Sequence, residues 1–339
     1  MKFAYTADIH LSRYGQDPVD ETSGLPERLD SIKLALYSMV DVCKQKKIND
    51  IIIGGDILHT KSIIYAIAQD MMLQFFEDHK DINFKVIDGN HDLSGKGSDA
   101  ISALRALKNV PNVHWITKKP EKVDNITFVP YSVDLVQYVK EGSSDILISH
   151  FGLSEGILNS GISLISSLSM NDLRGKYKLV LLGHYHKPQQ IIEDGISMYY
   201  VGSPIQLDWG EKGDQKRFLI VDTESLNVEE VPTTGYRQFI EIELTEKTKD
   251  KAIQIAKQAS ANGHYVKLVQ REKFDIKGLE KFNVVDKTES DATNRGITST
   301  MTQREKLKRY LEIKEIPESE HDEYLDIGIE IINACEVDQ

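Results

Sequence analysis

Thiol chemistry is almost missing from this sequence: 339 residues include two cysteines, Cys43 and Cys335, and neither stands in a C-x-x-C pair. That count speaks against a disulfide framework and against a thiolate zinc site, and leaves both as packing residues. No apolar run reaches the roughly 18 residues needed to cross a bilayer, and the opening MKFAYTADIH has neither a charged leader nor an apolar signal core. A cytoplasmic protein without a membrane partner is expected. A basic surplus is missing too: 41 Lys and Arg face 53 Asp and Glu, a net charge of −12. A chain of that sign does not hold nucleic acid by a broad basic surface. Internal repeats, low-complexity tracts and coiled-coil heptads are absent.

Short apolar runs that stop at polar clusters are abundant. Strands are expected over Lys2–Ala7, Asp50–Ile53, Asn83–Ile87, Ile126–Pro130, Asp145–Ile148, Lys178–Leu182, Met198–Val201 and Arg217–Val221. Between them, Leu29, Ile32, Leu36, Met39, Val40 and Cys43 repeat at helical spacing within Pro26–Lys47, as do Ile64, Ile67, Met71 and Phe75 within Ile64–His79. This alternation predicts an α/β domain over residues 1–235, with a polar loop from Ser12 to Glu27 beside its first cluster. A βαβ unit follows over 236–286, with strands Phe239–Leu244 and Tyr265–Gln270 around helix Lys249–Ala261. Residues 287–302 are rich in Ser, Thr, Asp and Asn and read as a linker. Two helices close the chain within 303–339, about Gln303–Lys314 and Glu318–Ala334. Five basic residues there face eleven acidic ones, which suits either a solvated face or a docking element.

The chemistry gathers in five clusters: Asp8-Ile9-His10, Gly55-Asp56, Gly89-Asn90-His91-Asp92, His150, and Gly183-His184-Tyr185-His186. In open α/β sheets the carboxyl ends of strands form the ligand-binding edge, so these distant segments can converge. In an extended segment residues i and i+2 face one side, which pairs Asp8 with His10 and His184 with His186. Carboxylate, amide oxygen and imidazole without thiolate suit Mn²⁺, Fe or Zn²⁺. Two divalent ions against Asp8 and Asp56 leave about +2 locally, enough to attract a phosphodiester to an acidic chain. His114 and His264 have no motif, His79 and His321 fall on helices, and none is assigned a role.

D-x-H, G-D, G-N-H-D, H and G-H-x-H, in this order over about residues 1–205, resemble the signature of calcineurin-like metallophosphoesterases. The resemblance implies a sandwich of two central sheets flanked by helices. It implies that Asp8, His10, Asp56 and His186 hold one metal, that Asp56, Asn90, His150 and His184 hold the other, and that Asp56 bridges. It gives His91 the role of general acid, oriented by Asp92, and associates His59 with exonuclease action. Tyr200-Val201-Gly202-Ser203-Pro204-Ile205-Gln206-Leu207 and Trp209-Gly210-Glu211 are similar to the matching segment of SbcD-type nucleases, relatives of the eukaryotic double-strand-break repair nuclease. Length and order of parts are most similar to the T-even phage members.

From that subfamily follow the finer expectations: two Mn²⁺ ions, double- and single-stranded DNA as substrates, a capping domain over 236–286, terminal helices that bind an SbcC-like coiled-coil ATPase, and a homodimer. Ser12 departs from the Gly that many relatives carry after D-x-H-L. Two other readings stand beside this one. A small-molecule phosphatase or phosphodiesterase would use the same scaffold but has no need of a capping domain and partner helices. A catalytically silent scaffold subunit would lack ligands, whereas here every ligand position is filled.

Overall fold

The structure, a computed structural model, describes residues 1–270 apart from 96, 98 and 164, then 282–286, 301–314 and 316–337. The expected linker over 287–302 therefore lies outside the described residues except for its last two. The side chains from 330 onward, Cys335 among them, lie outside as well. The chain forms two compact units, Met1–Phe239 and Ile240–Gln339.

The strands of the first unit are β1 (Lys2–Thr6), β2 (Asp50–Ile53), β3 (Asn83–Ile87), β4 (Leu93–Ser94), β5 (Ile101–Ser102), β6 (Val113–Ile116), β7 (Glu121–Val123), β8 (Ile126–Val129), β9 (Ile146–His150), β10 (Leu179–Gly183), β11 (Gln189–Glu193), β12 (Ile196–Tyr200), β13 (Arg217–Asp222) and β14 (Val228–Pro232). One sheet runs β14-β13-β1-β2-β3-β6 and the other β11-β12-β10-β9-β8-β7. In each, four neighbours are parallel: β1, β2, β3 and β6 in the first, β8, β9, β10 and β12 in the second. Antiparallel strands finish the edges.

These strands read as unbroken apolar runs because both faces are covered. Phe3, Tyr5, Ile52 and Ile87 of the first sheet pack against Phe128, Ile148, Leu181 and Val201 of the second, all buried. The alternate residues face outward. Ile51, Ile53 and Val86 meet Leu29, Ile32, Leu36 and Phe75 of helices α1 (Glu27–Gln45) and α2 (Ala66–Asp78). Leu147, Val180 and Leu182 meet Leu135, Val139 and Leu173 of α3 (Leu135–Glu141) and α4 (Met170–Leu173). A fully buried side chain of this size contributes about 1.5–3 kcal/mol, so the three apolar layers fix the registry of the sandwich. Pro26 caps α1, and Glu27 and Asp30 in its first turn suit the helix dipole.

The four-layer arrangement is the one the family resemblance implies. Sequence reading had passed over β4 to β7, β11, β14, α3 and α4. All are short, and β11 (QQIIE) and β14 (VEEVP) are edge strands with exposed charged positions, too little apolar pattern to show a period.

In the second unit β15 (Phe239–Leu244), β16 (Tyr265–Gln270) and β17 (Asn283–Asp286) form a sheet in that order. The strand β17 is an addition to the expected βαβ. Helix α5 (Lys249–Ala261) sets Ala252 and Ala256 against Leu244 and Leu268. The closing helices run Gln303–Ile313 and His321–Val337. The first begins with a Thr302–Glu305 capping box, and Arg304 bonds Asp326 of the second at 2.8 Å.

Candidate metal centre

Parallel strands deliver their carboxyl ends to one edge of each sheet, and the polar clusters begin where the strands stop. Beyond β1 and β2 the two chains stay bonded side by side: Gly54 N donates to Thr6 O at 2.8 Å, Asp8 N to Gly55 O at 3.1 Å, His10 N to Asp56 O at 3.0 Å, and His59 N to Leu11 O at 3.0 Å. Asp8, His10 and Asp56 take positive φ values of 55°, 55° and 53°, and His184 one of 95°. Left-handed L-residues cost roughly 1–2 kcal/mol each, and the cross-bonds hold them. Asp8 and His10 are thus brought together by left-handed turns, not by the simple strand alternation the sequence suggests. Glycine is required between these loops. A Cβ on Gly55 (φ 94°) would lie 2.6 Å from His150 Nδ1 and 2.8 Å from Gly89 Cα, and one on Gly89 would fall onto the Asp56 carboxylate and amide.

Three groups of donor atoms result among the described residues, one of them His10, His59 and His91. Asp8, His10 and His186 present ligand atoms within 4.8 Å of one another, and so do Asp8, Asp56 and His150. His10 Nε2 stands 2.9 Å from His186 Nε2 and 3.6 Å from Asp56 Oδ2. His150 Nε2 lies 3.3 Å from Asp56 Oδ2, and Asn90 Oδ1 is 3.1 Å from both His150 Nε2 and His184 Nδ1. Asp8 and Asp56 are buried, at 0% and 2% exposure. Asp8 also accepts the His184 N–H at 2.9 Å, which ties the second sheet to the first.

The far side of each imidazole fixes which nitrogen faces inward. His150 Nδ1 donates to Gly54 O at 2.8 Å, and His186 Nδ1 to Glu211 Oε1 at 2.8 Å. Each leaves its Nε2 turned to the centre, the tautomer a metal ligand needs. Two Nε2 atoms at 2.9 Å, and two ring nitrogens on one amide oxygen, are contacts between lone pairs unless a proton or cation lies among them. This donor set, all nitrogen and oxygen with two buried carboxylates, fits divalent ions.

The titration behaviour agrees. Burial lowers His150, but Asp56 and Asp8 beside it outweigh that and push it up to about 9. His186 is raised in the same way by Glu211 and Asp8 against its burial. Burial and the neighbouring His186 hold His10 well below the ordinary range, and burial with His150 lowers His184 to about 3. Burial raises Asp8, partly offset by His150 and His186, whereas at Asp56 the histidines overcome burial and lower it. The neighbouring carboxylates thus favour the charged form of His150 and His186, at the same places where they would favour a cation.

Three supports surround the donors. Asp92, fully buried, accepts from Asp56 N at 2.8 Å, Gly89 N at 2.9 Å and Leu58 N at 3.0 Å. It does not meet the His91 ring, whose Nδ1 donates instead to His59 O at 2.6 Å. The expected Asp92–His91 contact is thus replaced by the bond from His91 to the His59 carbonyl, and Asp92 stitches the loops after β2 and β3. Glu211, 3% exposed, is the second support: beyond His186 it takes bonds from Ser203 Oγ and Leu207 N at 3.0 Å and from Lys216 Nζ at 2.7 Å. Burial raises it, but His186 and Lys216 bring it down to about 2. Lys216 is wholly buried and also donates to His186 O at 2.8 Å. The third is Tyr14, whose hydroxyl donates to His10 O.

All seven expected ligands, Asp8, His10, Asp56, Asn90, His150, His184 and His186, meet at this edge, with His91 and His59 beside them. His59 Nδ1 is 3.2 Å from His10 Nδ1, and the His59 and His91 rings are stacked at 5.9 Å. Sequence reading quoted Glu211 only as part of a family segment and missed its place behind His186, as it missed Tyr14 and Lys216. A Glu in a loop and a Lys five residues later carry no pattern that marks them as buried.

A family profile described as calcineurin-like phosphoesterase matches residues 1–188, and the chain belongs to that family, whose members bind divalent metals. Among curated proteins it is 26% identical over 253 residues to Exonuclease subunit 1 of Enterobacteria phage T4, covering 70% of this chain and 70% of that protein. It is 24% identical over 200 residues to the Putative phosphoesterase 244L of Invertebrate iridescent virus 6, covering 55% of this chain and 66% of that one. A putative 5'-nucleotidase from Staphylococcus aureus matches 75% of this chain and 57% of its own, with 13% identity and a TM-score of 0.42. This is a phosphoester hydrolase of the metallophosphoesterase type, distantly related to a phage nuclease subunit.

Proposed function

We propose that this protein is the nuclease subunit of a DNA-processing complex, hydrolysing phosphodiester bonds at a two-metal centre during recombination and double-strand-break repair. The observation that carries the reading is a pair of adjacent donor groups, Asp8 with His10 and His186 and Asp8 with Asp56 and His150, built from the edges of both sheets and sharing Asp8. Asp8, His10, Asp56 and His186 would hold one ion, and Asp56, Asn90, His150 and His184 the other, with Mn²⁺ suited to this mixed donor set. Bound ions supply Lewis acidity and a nucleophilic hydroxide. His91, with Nδ1 committed to the His59 carbonyl, presents Nε2 to hand a proton to the leaving oxygen. His59, between His10 and His91, would position the strand end in exonuclease action.

The relationship to a phage exonuclease subunit favours DNA over a small ester. In the same reading residues 236–286 cap the site and 303–339 dock on an SbcC-like ATPase. Tyr310, Ile313, Tyr324 and Ile327 stay exposed on the closing helices, which suits a partner surface. A homodimer and a cytoplasmic setting belong to this reading too. No described helix is long and apolar enough to cross a membrane.

The test is cleavage of end-labelled duplex and single-stranded DNA with Mn²⁺, Mg²⁺ or chelator, for the wild type and His91→Ser. Mn²⁺-dependent cutting that falls by about 10²–10⁴-fold in the variant is expected. Brisk hydrolysis of a small phosphate ester with no cutting of DNA would replace this reading with the small-molecule phosphatase.

A further inference from the structure

His59 touches both working parts of the centre, by different groups. Its ring meets one of them: His59 Nδ1 is 3.2 Å from His10 Nδ1, with the two rings edge to face at 5.2 Å. Its backbone serves the other, since the His59 carbonyl accepts from His91 Nδ1 at 2.6 Å. The chain here is held from both sides: His59 N donates to Leu11 O at 3.0 Å, and Leu58 N to the buried Asp92 carboxylate at 3.0 Å. Tyr14, whose hydroxyl donates to His10 O, has its ring 6.2 Å from that of His59. The His59 side chain is exposed, yet the backbone that carries it has little freedom.

Hydrogen-bond accounting then sets the protons. An imidazole that gives Nε2 to an ion keeps its one proton on Nδ1, and that N–H needs an acceptor. His10 turns Nε2 towards Asp56 and His186, and the acceptor offered to its Nδ1 among the described residues is His59 Nδ1. His59 must therefore carry its own proton on Nε2, which meets no partner among the described residues and remains a donor for a substrate oxygen. Elsewhere in the centre a carbonyl or a carboxylate does this work, Gly54 for His150 and Glu211 for His186. At His10 a further histidine takes that place. The three rings of His10, His59 and His91 also form a donor group of their own. An ion there in addition to the pair would claim His10 a second time, and a neutral imidazole has one lone pair to give.

We infer that His59 is a positioning residue: its Nδ1 holds His10 in the tautomer and orientation that ligation requires while its carbonyl sets His91, so that one residue aligns an ion and the proton donor together. The inference rests on the two-metal reading above and gives the ring a task that needs no DNA.

The test is Mn²⁺ uptake by the full chain without DNA, followed by calorimetry and by the electron paramagnetic resonance of a coupled Mn²⁺ pair, for the wild type, His59→Ala and His59→Asn. The wild type is expected to take up a pair. His59→Ala, which keeps the carbonyl and loses the ring, should bind one ion of the pair roughly 10–100-fold more weakly. Its coupled signal should vanish at metal concentrations that fill the wild-type centre. His59→Asn, whose side-chain oxygen can accept the His10 N–H, should restore most of the affinity and the coupled signal. Uptake unchanged in His59→Ala would confine the ring to the strand end and overturn the inference. Equal weakening of both ions with no rescue in His59→Asn would mean a structural defect, and a third ion lost with the ring would mean that His59 is itself a ligand; either overturns it too. A wild type that takes up no pair would instead remove the two-metal reading, and the task of His59 with it.

Discussion

At the scale of single residues, the centre keeps protons where a pair of ions would sit. His150 is raised to about 9 and His186 is also raised, because carboxylates stand beside both. Divalent ions compete for the same nitrogens, so uptake should release protons and tighten as pH rises. The sign for stability is opposite. A histidine whose folded value is raised stabilises the folded chain fully below its ordinary value of 6.5, and that contribution is lost as pH rises through about 9. Between pH 6.5 and 9 the chelated protein is expected to lose thermal stability while its Mn²⁺ affinity climbs. Calorimetric titration in buffers of different ionisation enthalpy counts the released protons directly. Glu211→Gln, which removes the carboxylate behind His186, should lower the number of protons released and weaken uptake by roughly 10–100-fold. A proton count independent of pH and of Glu211 would contradict this picture.

At the scale of elements, the loops after β1, β2 and β3 are a single piece of construction. Asp92 binds three of their amides, and Gly55 and Gly89 let the chains approach. Gly55→Ala meets both a left-handed backbone and a clash with His150 and the Gly89 backbone. It should cost about 2–4 kcal/mol and abolish metal binding. Gly213, with φ of 82° and open space around it, is the control: there the same substitution meets backbone strain alone, about 1–2 kcal/mol. Thermal unfolding of the two variants decides whether packing at the centre adds to the backbone term. These loops also show what was legible beforehand. The apolar runs betrayed the central strands because parallel strands are buried on both faces, and the residues that gather at the strand ends betrayed themselves because D-x-H, G-N-H-D and G-H-x-H are dense in imidazole and carboxylate. The bond from His91 to the His59 carbonyl, and Asp92's attachment to backbone amides, were not legible. Each depends on where one loop lies against another, and a linear pattern records only neighbours along the chain.

At the scale of the whole molecule, a net charge of −12 leaves the proposed DNA substrate only local attraction at the loaded centre, so on the nuclease proposal its binding should be less salt-dependent than that of a basic protein. The centre also divides unequally between the two halves of the sandwich. Asp8, His10, Asp56 and Asn90 hang from the first sheet, and His150, His184 and His186 from the second, already joined through His150 to Gly54 and His184 to Asp8. Bound ions would act as rivets through that seam. The consequence is mechanical: separating the two layers and releasing the ions become the same motion. Chelation should therefore speed amide exchange in β1 and β10 alike, and a cavity cut between the layers, as with Phe128→Ala, should be felt as faster metal loss at a centre whose own side chains are unchanged.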